Sequence, residues 1–245
     1  KVGKDGNANF ILEDFKKAGI HTQYILTSES EETGQAFITV DEAGQNIILV
    51  YGGANMTLSA TDVEMSAEAF IGADFVVAQL EVPFEAIEQA FKIARKQNIT
   101  TVLNPAPAIE LPKSLLELTD IIIPNETEAE LLTGISINNE SDMKETATYF
   151  LNLGISAVLI TLGEQGTYCA YQEQYKIIPA CNVKAVDTTA AGDTFIGAFL
   201  SELNKDLSNL ESAIRLANQA SSLTVQRKGA QASIPTRKEV EAEYN

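Results

Sequence analysis

Asp187-Thr188-Thr189-Ala190-Ala191-Gly192-Asp193-Thr194-Phe195 is the stretch whose reading decides the fold. It starts as a polar loop of small residues and turns into a helix. Phe195, Ala198, Phe199 and Leu203 recur at helical spacing, so an apolar face begins just after Asp193. Ala190, Ala191 and Gly192 carry little or no side chain, and no proline removes a donor, so their backbone N–H groups can approach an anion closely. At a helix N-terminus those donors are free and the aligned peptide dipoles add partial positive charge. Asp193 falls in the first turn. Its carboxylate can cap the helix and do nothing more, or take a proton from a hydroxyl attacking a phosphoryl group.

Upstream of this stretch the chain alternates strands and helices. Short apolar runs at Asp74–Ala78, Thr100–Leu103, Asp120–Ile123 and Ala157–Ile160 read as strands, separated by helical segments at Phe84 to about Gln97, around Glu126–Leu132, and at Ser141–Leu153. That alternation implies an α/β protein with a parallel sheet covered on both faces. The polar residues cluster after the strand ends, where ligands bind in open α/β sheets. Thr167–Ala170 and Tyr175–Ile178 read as a β-hairpin. A helix from Asn209 to about Gln226 carries Ala213, Leu216, Ala217, Ala220 and Leu223 on one face, and Pro235 leads into a short polar C-terminal helix. Nearer the start, Asn7–Gly19 reads as a helix with Phe10, Ile11, Phe15 and Ala18 on one face and Gly19 as its C-cap. Gln35–Val40 and Asn46–Tyr51, joined by Asp41-Glu42-Ala43-Gly44, read as a hairpin, either an edge hairpin of the domain or a lid over a pocket.

The 245 residues fit one large domain or one domain with a small appendage, and a hydrophobic fraction of 45% is ordinary for a globular protein with a real core. The net charge of −17 argues against a nucleic-acid binder, which needs a basic face. A nucleotide ligand stays compatible, because local loops and metal neutralise phosphate. No apolar run is long enough to span a bilayer and no signal-peptide pattern opens the chain. Cys169 and Cys181 show neither metal spacing nor a disulfide framework, so a reducing cytoplasm is the simplest setting.

Other groups have two readings each. Asn125 and Glu128, three apart at a helix start, can hold water around Mg²⁺ or belong to a charge cluster with Glu126 and Glu130 that the helix dipole favours. Thr161-Leu162-Gly163-Glu164-Gln165-Gly166 can bring its backbone to a nucleotide or be an ordinary turn; it matches neither GxxxxGK[ST] nor GxGxxG. Glu81 can accept hydrogen bonds from a polar ligand or be a solvated loop carboxylate. His21, the single histidine, reads as a capping or surface residue. Ser221 and Ser222 read as helix packing.

The stretch at 187–195 resembles the C-terminal signature of the ribokinase-type (pfkB) carbohydrate kinases. Gln79-Leu80-Glu81, Asn104-Pro105-Ala106-Pro107, Pro124-Asn125-Glu126-Thr127-Glu128, Thr161-Leu162-Gly163 and Arg227-Lys228-Gly229-Ala230-Gln231 resemble the family in the same order, over essentially the whole chain. The resemblance implies a three-layer α/β/α sandwich with a mostly parallel sheet and a small β lid at about 33–53, within a single domain. It implies ATP-dependent phosphorylation of D-ribose at its 5-hydroxyl, with Asp193 as base and Ala190, Ala191 and Gly192 as the anion hole. By position, Asn125, Thr161, Leu162, Gly163, Glu164, Gln165, Gly166 and Asn218 line the nucleotide pocket. Gly192 and Asp193 adjoin the transferred phosphate. Glu128 supports Mg²⁺ through water, and Glu81 resembles a ribose contact. A potassium site is implied at Asp187, Thr189, Thr224, Arg227, Gly229 and Ser233, several through backbone carbonyls, as is a homodimer formed through the lid strands. Family members also carry, ahead of these motifs, a first core strand, an Asn-x-Asp sugar contact and a Gly-Gly-Lys-Gly-Ala-Asn loop. The chain begins just after that region, so a preceding segment is expected in the full protein. Other sugar kinases of this type, such as a fructokinase or a keto-deoxy-sugar kinase, and a catalytically inactive nucleotide-binding sensor are the competing readings.

Overall fold

A computed structural model of the chain describes residues 1–40 and 46–244. The expected turn Asp41-Glu42-Ala43-Gly44 lies outside the described residues. The chain divides into two compact units, Lys1–Ile99 and Thr100–Asn245.

In the first unit, helix α1 spans Gly6–Lys17. Asp5 starts it by accepting from the Ala8 N–H, which satisfies one of the free donors of the first turn. The same carboxylate accepts from the N–H and hydroxyl of Thr33, tying the helix start to the chain ahead of strand β1. Gly19 takes the left-handed conformation just past the end (φ 77°), and the N–H groups of Gly19 and Ile20 return to the carbonyls of Lys16 and Phe15. The expected apolar face is only partly covered: Ile11 and Phe15 are half-buried, while Phe10 is 66% exposed. Strands β1 (Gln35–Val40) and β2 (Asn46–Tyr51) pair antiparallel, with Gln35 opposite Tyr51. Phe37 and Leu49 on this two-stranded sheet are 53% and 68% exposed. The hairpin's base is tight. Gly53 has φ +52°, and a Cβ there would lie 2.3 Å from the Glu32 carbonyl oxygen. Helix α2 (Ala60–Met65) opens with a Ser59–Asp62 capping box. Strand β3 (Phe75–Ala78) and helix α3 (Phe84–Lys96) follow. Phe70, Ile93, Ala94 and Ile99 form a core into which Val63, Ala67, Ala73, Val76 and Ala90 pack.

The second unit holds a five-stranded run of sheet in the order β4 (Thr100–Leu103), β5 (Ile121–Ile122), β6 (Ala157–Thr161), β7 (Thr167–Tyr171), β8 (Gln174–Ile178). The β4–β5 and β5–β6 pairs are parallel and the β6–β7 and β7–β8 pairs antiparallel. Helix α4 (Lys113–Glu117) connects β4 to β5; α5 (Glu126–Thr133) and α6 (Glu140–Asn152) connect β5 to β6. Val102, Leu103, Ile121, Ile122 and Ala157–Ile160 are fully buried. Both faces of these strands are covered, which is why they read as continuous apolar runs rather than alternating ones. Past β8 come α7 (Ala191–Glu202), α8 (Leu210–Thr224) and α9 (Arg237–Tyr244). Phe195 and Phe199, one turn apart on α7, are buried with their rings stacked at 6.1 Å. Ala213, Ile214, Ala217 and Ala220 form the buried side of α8. The small alanines let the α7 and α8 backbones come close, and that closeness sets up the polar contacts described next.

Candidate active site

Helix α7 starts in an unusual way. Its N-cap is Ala190, which has no capping side chain and sits in the left-handed region at φ 61°, ψ 12°. An L-residue with a Cβ pays for that conformation, and glycine avoids the cost. Here the glycine two residues on does not take the left-handed position. The turn is closed by the Ala191 N–H on the Thr188 carbonyl at 3.3 Å and the Thr194 N–H on the Ala190 carbonyl at 2.9 Å. Ala191 is thus partly engaged. The N–H groups of Ala190, Gly192 and Asp193 have no partner among the described residues. Gly192 and Asp193 are exposed, so a cluster of free donors at the positive end of a twelve-residue helix faces solvent, with a carboxylate in the same turn.

Helix α8 holds this turn from behind. Asn218, Ser221 and Thr224 are spaced three apart and therefore share one side of the helix. Thr224, fully buried, bonds the buried Thr194 hydroxyl at 3.0 Å. The Ser221 hydroxyl donates to the Ala191 carbonyl at 2.9 Å. Asn218, one turn earlier, donates through Nδ2 to the carbonyls of Ile178 (3.0 Å) and Pro179 (3.2 Å), and its Oδ1 accepts from the Thr167 hydroxyl at 2.9 Å. One helix side thus connects the start of α7 to the ends of β7 and β8.

The expected cation-site residues gather at the C-terminal end of α8. The N–H groups of Val186 and Asp187 donate to the Val225 carbonyl at 2.7 and 3.1 Å. Asp187 Oδ1 accepts from the Thr189 N–H and Oδ2 from the Gly229 N–H, both at 3.0 Å. These bonds, that of Gly229 foremost, hold the Asp187 carboxyl down at about 2. Buried Ser233 turns its hydroxyl to the Ala230 carbonyl, and Arg227 pairs with Glu239 at 2.8 Å. A carboxylate that stays ionised at neutral pH, among loop carbonyls and hydroxyls, is an all-oxygen donor set, which suits a hard cation. Among the described residues no group of three or more His, Cys, Asp and Glu is placed to hold a metal ion. Because the folded carboxyl titrates below its unfolded value near 3.9, its stabilising contribution is complete above about pH 4 and is lost as the pH falls toward 2. Asp187→Asn is therefore expected to flatten that part of the unfolding-midpoint curve between about pH 4 and 2. An acid limb identical to the parent's would refute it.

The expected nucleotide residues lie at adjoining strand ends. Asn125, after β5, forms a parallel bridge with Thr161 at the end of β6, and the Thr161 N–H donates to the Pro124 carbonyl at 2.9 Å. The loop from Thr161 closes on itself through Leu162 N–H to the Gly166 carbonyl at 2.8 Å. Leu162 is buried, whereas Gly163, Glu164 and Gln165 are exposed. Gly166 has φ +104°, and a Cβ there would meet the Ile178 carbonyl oxygen at 2.1 Å. Its glycine is thus required by the exit of β8. Asn125 and Glu128 make a capping box. Asn125 Oδ1 accepts from the Glu128 N–H, while the Glu128 carboxylate accepts from the Asn125 N–H at 2.9 Å and Nδ2 at 3.0 Å. Both carboxylate oxygens are used, and burial raises the Glu128 pKa. That geometry fits a support acting on Mg²⁺ through water and does not fit direct ligation. Glu81 belongs to the first unit, exposed on the turn after β3, with its N–H donating to Gln79 Oε1.

Sequence reading missed two contributors, Thr194 and Ser221. The signal was present as polar residues recurring every third position on the otherwise apolar side of α8.

A family model described as pfkB family carbohydrate kinase matches residues 1–237. Over 240 residues the chain is 62% identical to a ribokinase from Staphylococcus aureus, covering 98% of this chain and 79% of that protein. It is 42% identical over 238 residues to a ribokinase from Haemophilus influenzae, covering 97% of this chain and 78% of that one. Among solved structures, that of Arabidopsis thaliana ribokinase complexed with ribose and ATP matches with a TM-score of 0.89 at 32% identity. It covers 98% of this chain and 79% of that chain.

Proposed function

This chain belongs to the pfkB family of carbohydrate kinases, and from that premise we propose that it transfers the γ-phosphoryl group of ATP to the 5-hydroxyl of D-ribose. The observation that carries the reading is the start of α7, where the unpartnered N–H groups of Gly192 and Asp193 stand beside the Asp193 carboxylate. The identities to ribokinases and the complex of one with ribose and ATP support the choice of substrates.

Phosphoryl transfer asks a protein for positioning and charge stabilisation more than for covalent chemistry. In the proposed step the Asp193 carboxylate accepts the proton of the sugar's primary hydroxyl as that oxygen bonds to the γ-phosphorus. The bond to the β,γ-bridging oxygen breaks and ADP leaves with the electron pair. The free N–H groups of Ala190, Gly192 and Asp193 meet the charge on the transferring group. Asn125, Thr161–Gly166 and Asn218 border the nucleotide, and Glu81 contacts the sugar. Glu128 would support, through water, the Mg²⁺ bound with ATP, whose chemistry there would be to neutralise phosphate charge. Asp187, Thr189, Thr224, Arg227, Gly229 and Ser233 would hold potassium, which adds positive potential beside the anion hole. The β1–β2 hairpin serves as the lid, and its exposed Phe37 and Leu49 support pairing with a second copy in a homodimer. Cys169 and Cys181, both free, suit a reducing cytoplasm, and no helix among the described residues is long and apolar enough to cross a membrane.

The test is ADP release by the full-length protein over D-ribose, 2-deoxy-D-ribose, D-fructose and a keto-deoxy sugar. The assays are run in potassium and in tetramethylammonium at matched ionic strength. The highest kcat/KM is expected for ribose, with phosphate on C5 of the product and faster turnover in potassium. Preference for fructose or a keto-deoxy sugar reassigns the substrate. Equal rates in both salts remove the potassium site, and ATP binding without turnover of any sugar makes the chain a nucleotide sensor.

A further inference from the structure

We infer that Ser221 is a positioning residue for the anion-binding start of α7, an assignment that rests on the phosphoryl-transfer reading above. The Ser221 hydroxyl donates to the Ala191 carbonyl at 2.9 Å. That carbonyl and the Gly192 N–H belong to one planar trans peptide unit. Holding the oxygen therefore fixes the direction in which the Gly192 N–H points. Gly192 is the residue in this turn best able to rotate away, since glycine has the widest choice of backbone angles.

The turn needs holding from outside. Ala190 sits in the left-handed region and brings no capping side chain, so at the helix start itself the peptide planes that follow are held by backbone bonds alone. Among the described residues, two side-chain bonds reach the turn from α8, Thr224 to Thr194 and Ser221 to Ala191, while Asp187 holds the Thr189 N–H ahead of them. The Thr224 bond is hydroxyl to hydroxyl and anchors a side chain beyond Asp193. The Ser221 bond reaches the main chain of the donors themselves. The Ala191 carbonyl, at the first position of an α-helix, already has a partner in the helix's own ladder. The serine bond is thus additional to what the helix needs in order to form, and its consequence is orientation.

The test compares Ser221→Ala and Ser221→Thr with the parent in the full-length protein. Ser221 is half-buried, so both variants are expected to keep the parent's unfolding midpoint to within a few degrees. Ser221→Ala is expected to lower kcat about tenfold with KM for ribose within about twofold, because the lost orientation matters in the transition state. Ser221→Thr, which keeps the hydroxyl, is expected to return most of that rate. The ¹⁵N order parameter of the Gly192 amide is expected to drop from about 0.85 toward 0.6 in the alanine variant alone. A Ser221→Ala kcat within twofold of the parent overturns the inference, as does a threonine variant as slow as the alanine one. An unchanged Gly192 order parameter overturns it whether or not ribose is turned over. If the order parameter falls but the parent phosphorylates no sugar, the positioning stands and the phosphoryl-transfer reading fails instead.

Discussion

Asp193→Asn is expected to lower kcat by about a thousandfold while ATP affinity stays within about twofold. The substitution keeps the side chain's size and removes its ability to accept a proton, so the sugar hydroxyl must attack undeprotonated. General-base catalysis is worth about 10² to 10⁴ in rate. The upper half of that range applies where the acceptor shares a turn with the donors that meet the phosphate. The variant should fold as the parent does. Asp193 is exposed, its carboxylate has no hydrogen-bond partner among the described residues, and the turn is held by Thr194 and Ala191 on either side of it. Loss of the negative charge next to the free N–H groups removes repulsion toward the triphosphate, which is why nucleotide binding is not expected to weaken. Steady-state kinetics with calorimetric titration of ATP checks both halves. Turnover near the parent's would remove Asp193 from the role of base. A collapse of ATP affinity would assign it to binding.

Much of the second unit could be read from residue types. Val102-Leu103, Ile121-Ile122 and Ala157–Ile160 read as buried parallel strands because both faces of each are covered. The hairpin over Thr167–Ile178 and the helix after Ala190 followed from turn residues and spacing. Other features were illegible because they depend on which partner a polar group finds. Asn-x-x-Glu at 125–128 is a pattern that a capping box and a water-mediated metal support share, and only the placement of both Glu128 oxygens on Asn125 shows the first of them in operation. Nothing in Thr-Ala-Ala-Gly tells that Ala190, and not Gly192, takes the left-handed angle. The apolar stripe of α1 was visible, but a stripe does not say what covers it, and Phe10 remains exposed. Asn218, Ser221 and Thr224 were each read separately, as ligand or as packing. Their shared function as one bonded edge depends on how closely α7 and α8 approach, and that follows from alanines elsewhere on the two helices.

That edge makes Asn218→Ala the substitution with the largest expected cost in stability, about 3 kcal/mol, or on the order of 10 °C in the unfolding midpoint of a chain this size. Asn218 is buried and joins α8 to two strand ends by three hydrogen bonds. Alanine removes the side-chain partner of the fully buried Thr167 hydroxyl and the Asn218 bond to the buried Ile178 carbonyl, and each buried group left unsatisfied costs about 1 to 3 kcal/mol. The Pro179 carbonyl lies at an exposed residue and can turn to water, so its loss adds little. Ile178 is also the residue whose carbonyl oxygen crowds Gly166. Freeing it is expected to loosen the Thr161–Gly166 loop as well, and KM for ATP should rise severalfold at a temperature where the variant is still folded. Asn218→Asp separates the two effects. It keeps an acceptor for Thr167, abolishes both donated bonds and buries a charge, so its midpoint should fall at least as far as alanine's. A midpoint unchanged in both variants would contradict the bonded edge itself. A large fall in midpoint with KM for ATP unaltered would leave Asn218 a purely structural link and take it out of the nucleotide pocket.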